Sequence, residues 1–180
     1  MNQLAADVTL VGETLTYLRI SASTDVIEIT RLPDTQLKGS LNLFFGLTRL
    51  KTLEVPIPFL IGFSESDPNI LGPEELLPTS LEWLHLTDDL SYHSDWNWMQ
   101  DVDYFLSLIS SWLLQGKQFT PYLRRIRFVW KHTVVDDWTE EADPKFKALG
   151  IQAAQAGVQF EVIEQLEISP ELRFSELDFE

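Results

Sequence analysis

A six-residue pattern, Leu-x-x-Leu-x-Leu, recurs along this chain and limits what it can fold into. It is clearest in Leu81-Glu82-Trp83-Leu84-His85-Leu86. Variants stand at Leu15-Thr16-Tyr17-Leu18-Arg19-Ile20, Leu50-Lys51-Thr52-Leu53-Glu54-Val55 and Leu123-Arg124-Arg125-Ile126-Arg127-Phe128. The last two apolar positions are two residues apart, so in an extended strand they share one face while their neighbours take the other. The first lies where the chain enters the strand and closes the same core. One such strand cannot bury its apolar face alone, so the copies must stack side by side.

Composition narrows the setting. The 180 residues suffice for one domain with a core. Thirteen basic against 28 acidic residues leave a net charge of −15. That field repels a phosphate backbone, so general nucleic-acid binding is not expected. Cysteine is absent, which removes disulfides, thiolate metal sites and cysteine nucleophiles together and fits a reducing compartment. Apolar runs such as Val55 to Phe63 and Phe105 to Leu114 are too short or too interrupted to span a bilayer, and no membrane partner is expected. Met1 to Asp7 lacks a basic segment leading into an apolar run, so no secretory signal is read there and the expected location is cytoplasmic or nuclear.

Taken in order, residues 1–14 read as a weakly structured start to a single domain over 1–163. An array opening on a strand at Leu15 would expose one end of its stacked core, which suggests a fragment or a covering element. Val26 to Thr30 has strand chemistry, Leu32-Pro33-Asp34 is a turn, and Ser40 caps a helical turn bearing Leu41, Phe44, Phe45 and Leu47. Pro56 and Pro58 are expected to end strand pairing, for lack of amide hydrogens. Gly62 to Ile70 is a polar loop, and Gly72-Pro73-Glu74-Glu75 starts a short helix that Pro78 stops. Asp101 to Leu114 is the clearest helix, with Gly116 as its left-handed closing residue. A strand over Leu123 to Val129 and an acidic loop over 131–142 follow. Asp143-Pro144 starts a helix that Gly157 closes, and Val158 to Val162 alternates as a last strand. The acidic segment 164–180 reads as a mobile tail, with docking through Leu172, Phe174, Leu177 and Phe179 as the alternative.

The intervals between motif centres are uneven: Leu18 to Leu53 is 35 residues, Leu53 to Leu84 is 31 and Leu84 to Ile126 is 42. Ordinary leucine-rich repeats run roughly 20 to 29 residues. The expected fold is therefore α/β, an irregular leucine-rich-repeat-like solenoid with a parallel β-sheet and helices on its convex side. The asparagine that usually follows the motif is missing; Ser23, Pro58, Asp89 and Lys131 stand nearest, and Asp89 is the best substitute.

The run Gly39-Ser40-Leu41, Phe44, Leu47, Leu50, Leu53-Glu54-Val55-Pro56, Leu60-Ile61-Gly62 and Leu76-Leu77-Pro78-x-Ser80-Leu81-x-x-Leu84-x-Leu86-x-Asp88-Asp89-Leu90 resembles the C-terminal repeat region of filamentous-fungal F-box/leucine-rich-repeat proteins. Thr120-Pro121-x-Leu123-x-x-Ile126 and Ala156-Gly157-Val158-x-Phe160-x-Val162 extend the likeness, which covers roughly residues 15–164. In that family an N-terminal F-box docks on a Skp1-type adaptor and the repeats hold the protein to be ubiquitinated. Residues 1–14 are too short for an F-box, so the resemblance implies only the substrate-recruiting half, and a Skp1-type adaptor is not an expected partner of this chain alone.

Outward positions of the four motif strands form two columns: Tyr17, Thr52, Trp83 and Arg125, then Arg19, Glu54, His85 and Arg127. In a solenoid the face opposite the core is the concave binding surface, and an aromatic beside an arginine is the commonest kind of interface anchor. These eight residues are the candidate protein-binding set, against the plainer reading that loops or the tail cover them. Arg124, Arg125, Arg127, Lys131 and His132 form a basic cluster, expected to pair internally with Asp136, Asp137 or the tail rather than with an acidic partner. Asp88, Asp89, His93 and Asp95 lack the ligand spacing and placed glycine of a calcium loop. No phosphate-cradling glycine loop or Gly-x-Ser-x-Gly elbow occurs. Neither catalysis, metal nor cofactor is expected. Two readings stay open: a non-enzymatic module that holds a protein or peptide, and a truncated structural remnant with no specific partner.

Overall fold

The computed structural model describes residues 12–21, 44–61, 77–89, 102–132 and 139–166. Five strands form one parallel sheet in chain order: β1 Tyr17–Arg19, β2 Thr52–Pro56, β3 Trp83–Thr87, β4 Arg125–His132 and β5 Gln159–Leu166. Parallel neighbours cannot be joined by tight hairpins. Helix α2 (Val102–Phe119) lies in the crossover from β3 to β4, and α3 (Thr139–Gln155) in that from β4 to β5. The α/β class and the parallel sheet agree with the expectation.

The register aligns the motifs residue for residue. Leu18, Leu53, Leu84, Ile126 and Phe160 make one rung, and Val55, Leu86, Phe128 and Val162 another. Leu53, Leu84, Ile126, Val55, Leu86 and Phe128 are fully buried. Phe105, Leu106, Ile109, Trp112 and Leu113 of α2 recur at helical intervals and join the same core. An aromatic chain ties the layers together. Phe105 lies 5.6 Å from Phe128, Phe128 lies 5.4 Å from Phe146 of α3, and Phe146 lies 6.4 Å from Phe160, ring centre to ring centre.

Successive strands also begin alike. The amide of the first motif leucine donates to the carbonyl three residues back, Leu50 to Leu47, Leu81 to Pro78 and Leu123 to Thr120, at 2.9 to 3.1 Å. Each lead-in carbonyl then accepts from two successive amides of the next strand: Thr16 from Lys51 and Thr52, Lys51 from Glu82 and Trp83, Glu82 from Arg124 and Arg125. Ser80 Oγ donates to the Leu50 carbonyl at 2.8 Å, stapling one lead-in turn to the one before it.

Several local expectations are corrected. Strand pairing of β2 does end at Pro56, as expected, but Pro56 itself still pairs in register with Thr87, and Ile57–Ile61 then forms a short helix, α1. Pro58 falls in its first turn, where an amide donor is not needed. Helix α2 continues past Leu114 to Phe119 and holds Gly116 in its interior. The stop comes at Thr120, whose amide (2.7 Å) and hydroxyl (3.1 Å) both donate to the Gly116 carbonyl, with Pro121 disfavouring helix at the residue before it. Helix α3 starts at Thr139, so Pro144 is inside it rather than at its head, and part of the expected acidic loop is helical. Strand β4 runs on to His132 and β5 to Leu166, so Glu164–Leu166 belong to the sheet rather than to the tail. Gly157, at φ 73°, closes α3 as expected. A 3₁₀ turn at Phe44–Gly46 stands where a helical turn was read. The expected strand at 26–30, the turn at 32–34, Ser40, the loop 62–70, the helix start at 72–75, His93, Asp95, Asp136, Asp137 and the segment 167–180 lie outside the described residues, as do 1–11.

Candidate functional site

The same parity that buries the leucines turns their neighbours outward, and the parallel register sets those neighbours side by side. The first outward rung is Tyr17, Thr52, Trp83, Arg125 and Gln159; the second is Arg19, Glu54, His85, Arg127 and Glu161. All eight expected surface residues are thus brought onto one sheet face. Gln159 and Glu161 join them from β5, a strand whose outward residues were not counted in the columns although the alternation of Val158 to Val162 already carried them.

The first rung is open, with Tyr17 51% and Trp83 39% exposed. The Arg125 guanidinium carbon lies 4.7 Å from the centre of the Trp83 ring, within the range of a cation–π contact. Arg125 Nε and Nη2 both donate to Gln159 Oε1, at 3.1 and 2.9 Å.

The second rung alternates in charge. Arg19 meets Glu54 at 3.1 Å and Arg127 meets Glu161 at 3.0 Å. The Tyr17 hydroxyl donates to Glu54 at 3.2 Å. At the lead-ins, Lys51 donates to Glu82 at 2.8 Å, and that bond holds the Glu82 carboxyl below its ordinary pKa. Among the described residues Arg127 pairs with Glu161 of the neighbouring strand and Arg125 is held by an amide and a ring, while Asp136, Asp137 and residues 167–180, the partners expected for the basic cluster, lie outside the described residues.

His85 lies between Glu54 and Arg127 in the rung. Loss of hydration, and then the positive charges of Arg127 and Arg125, lower its pKa against the opposing pull of Glu54 and Glu161, so the ring is neutral at pH 7. Its Nε2 is buried and has no hydrogen-bond partner among the described residues.

The third outward rung, Pro56, Thr87, Val129 and Ile163, is different. Pro56 and Thr87 are buried and the other two half-buried, so the open strip ends at the second rung. Three apolar residues at outward positions were the available signal. Beside Thr87, Asp88 is buried, at 1% exposure, and Asp89, the expected substitute for the missing asparagine, is half-buried.

The outward strip offers an aromatic face, an oriented guanidinium and paired charges, which is the chemistry of recognition. Among the described residues no group of three or more metal-ligating side chains gathers, and no helix is long and apolar enough to cross a membrane. Comparison of the chain with protein-family models, with curated proteins and with solved structures finds no match.

Proposed function

We propose that this chain is an irregular leucine-rich-repeat-like solenoid acting as a non-enzymatic protein-interaction module, which uses the outward strand face to hold a protein or peptide. The repeat reading is supported by the shared lead-in turn, the doubly accepting carbonyl before each of three strands and the common register. Its motifs resemble the repeat region of fungal F-box proteins, so the role in view is the recruiting half of such a protein, in the cytoplasm or nucleus. No cofactor or nucleic acid enters this reading.

The observation that carries the binding surface is Trp83, exposed in the middle of the sheet with Arg125 stacked over it. Tryptophan and arginine dominate binding energy where they meet a partner, because each brings a large contact area at modest entropic cost. Co-purification from native cells tests it. A partner recovered by the wild type and lost with Trp83→Ala plus Arg125→Ala, both proteins folded, is the expected result. No partner, or equal recovery by both, favours the structural-remnant reading instead.

A further inference from the structure

Three cations of this region are each answered by a carboxylate: Arg19 by Glu54, Arg127 by Glu161 and Lys51 by Glu82. Arg125 is answered by none among the described residues. Two positions on, the same two strands place Glu161 against Arg127, whereas Arg125 faces the neutral amide of Gln159. The amide orients the guanidinium as a carboxylate would, yet leaves its charge uncancelled. Trp83 closes the other flank, whereas the charge of Arg124, exposed one residue earlier, acts on Glu82.

We propose that Arg125, held between Trp83 and Gln159, is the docking point for a carboxylate side chain of a bound peptide. This deepens the recognition reading above, on which it rests, by making the partner an acidic segment. Nε and Nη2 are engaged with Gln159, while the terminal Nη1 donates to nothing among the described residues. A planar guanidinium end matches the two oxygens of a carboxylate. Because ring and amide already fix the side chain, little rotamer freedom is left to lose on binding. The exposed part of the Trp83 ring takes an apolar neighbour of that acid. The chain's own charge of −15 does not forbid this, since exposed charges beyond about 8 Å are screened at physiological salt. A single acid also brings far less charge than a duplex backbone does.

Selection of phage-displayed random peptides on the immobilised full chain tests the proposal. Enriched peptides are expected to carry Asp or Glu. Replacing that acid by its amide, or making Arg125→Gln, is expected to weaken binding roughly ten- to a hundredfold, as for a hydrogen bond to a charged group. The two losses do not add in the combined variant. Gln159→Glu, which cancels the charge while keeping the orientation, weakens binding as well. The peptide-side change leaves the protein untouched, so its result stands whatever the variants do to folding. Enriched peptides without acids, or additive losses, overturn the carboxylate site but leave a recognition surface. If the wild type enriches nothing over Trp83→Ala plus Arg125→Ala, the recognition reading falls and the proposal with it.

Discussion

Leu84 of β3 stands directly opposite Leu53 of β2, and both side chains are fully buried although 31 residues separate them. Trp83, the residue before Leu84, points the other way and is 39% exposed. Adjacent residues should therefore differ sharply in what they contribute. Leu84→Ala is expected to lower stability by about 2–5 kcal/mol, from lost transfer energy and the cavity left behind. Trp83→Ala should cost about 1 kcal/mol or less, chiefly the contact with Arg125. Urea unfolding followed by circular dichroism measures both, and equal losses would contradict the assignment of faces.

Two glycines give predictions of opposite sign. Gly157 closes α3 at φ 73°, where a side chain meets the following carbonyl, so Gly157→Ala should destabilise by about 1–2 kcal/mol. Gly116 is inside α2 with ordinary helical backbone, and a methyl group there would meet Trp112 Nε1 at 3.7 Å and Thr120 Oγ1 at 3.9 Å, normal contact distances. Gly116→Ala should stabilise by about 0.5–1 kcal/mol, the helix-propensity difference. Thermal midpoints of the two variants check the helix boundaries directly.

The glycines also show where the sequence was legible and where it was not. The period-two spacing within Leu53-Glu54-Val55 and its counterparts specified which residues face in, and a parallel ladder then left little choice of register. The columns of Tyr17, Thr52, Trp83 and Arg125, and of Arg19, Glu54, His85 and Arg127, follow from that parity alone. Helix limits do not. Gly116 has the chemistry of a helix stop, but the buried series of Trp112 and Leu113 continues through it, and Thr120 supplies the stop by bonding back. Pro58 reads as a strand breaker, yet it falls in the first turn of α1, where a missing amide is cheap, and Pro144 reads as a helix start, yet α3 begins five residues before it. The burial of Pro56 and Thr87 is not legible in the repeat motif, which says nothing about its own outward positions.

Acid should weaken the fold in two successive windows. Burial lowers the His85 pKa below its ordinary 6.5, so the unfolded chain binds more protons there than the folded one. The associated stability is present above pH 6.5 and is lost as the pH falls through that value toward the folded pKa. Arg127, Arg125, Glu54 and Glu161 are the charged groups that set this balance. Glu82, lowered from 4.5 by its bond to Lys51, adds stability that is lost only at lower pH. An NMR titration of the imidazole should place His85 below 6.5, and His85→Gln should flatten the fall in thermal midpoint between about pH 7.5 and 5.5. A midpoint at or above 6.5 would contradict the partial burial of the ring as the dominant influence on it.

The alignment of the motif strands is tested most directly by cross-linking, because the chain has no cysteine of its own. Thr52 and Trp83 are register partners on the outward face, so Thr52→Cys plus Trp83→Cys should close a disulfide on mild oxidation, read as an intramolecular cross-link by mass spectrometry. Leu53→Cys plus Trp83→Cys sets the thiols on opposite faces and should not, since disulfide geometry needs converging side chains. The account predicts a cross-link in the first pair only. A cross-link in the second pair and none in the first would mean a strand slipped by one residue, with the outward face misassigned throughout.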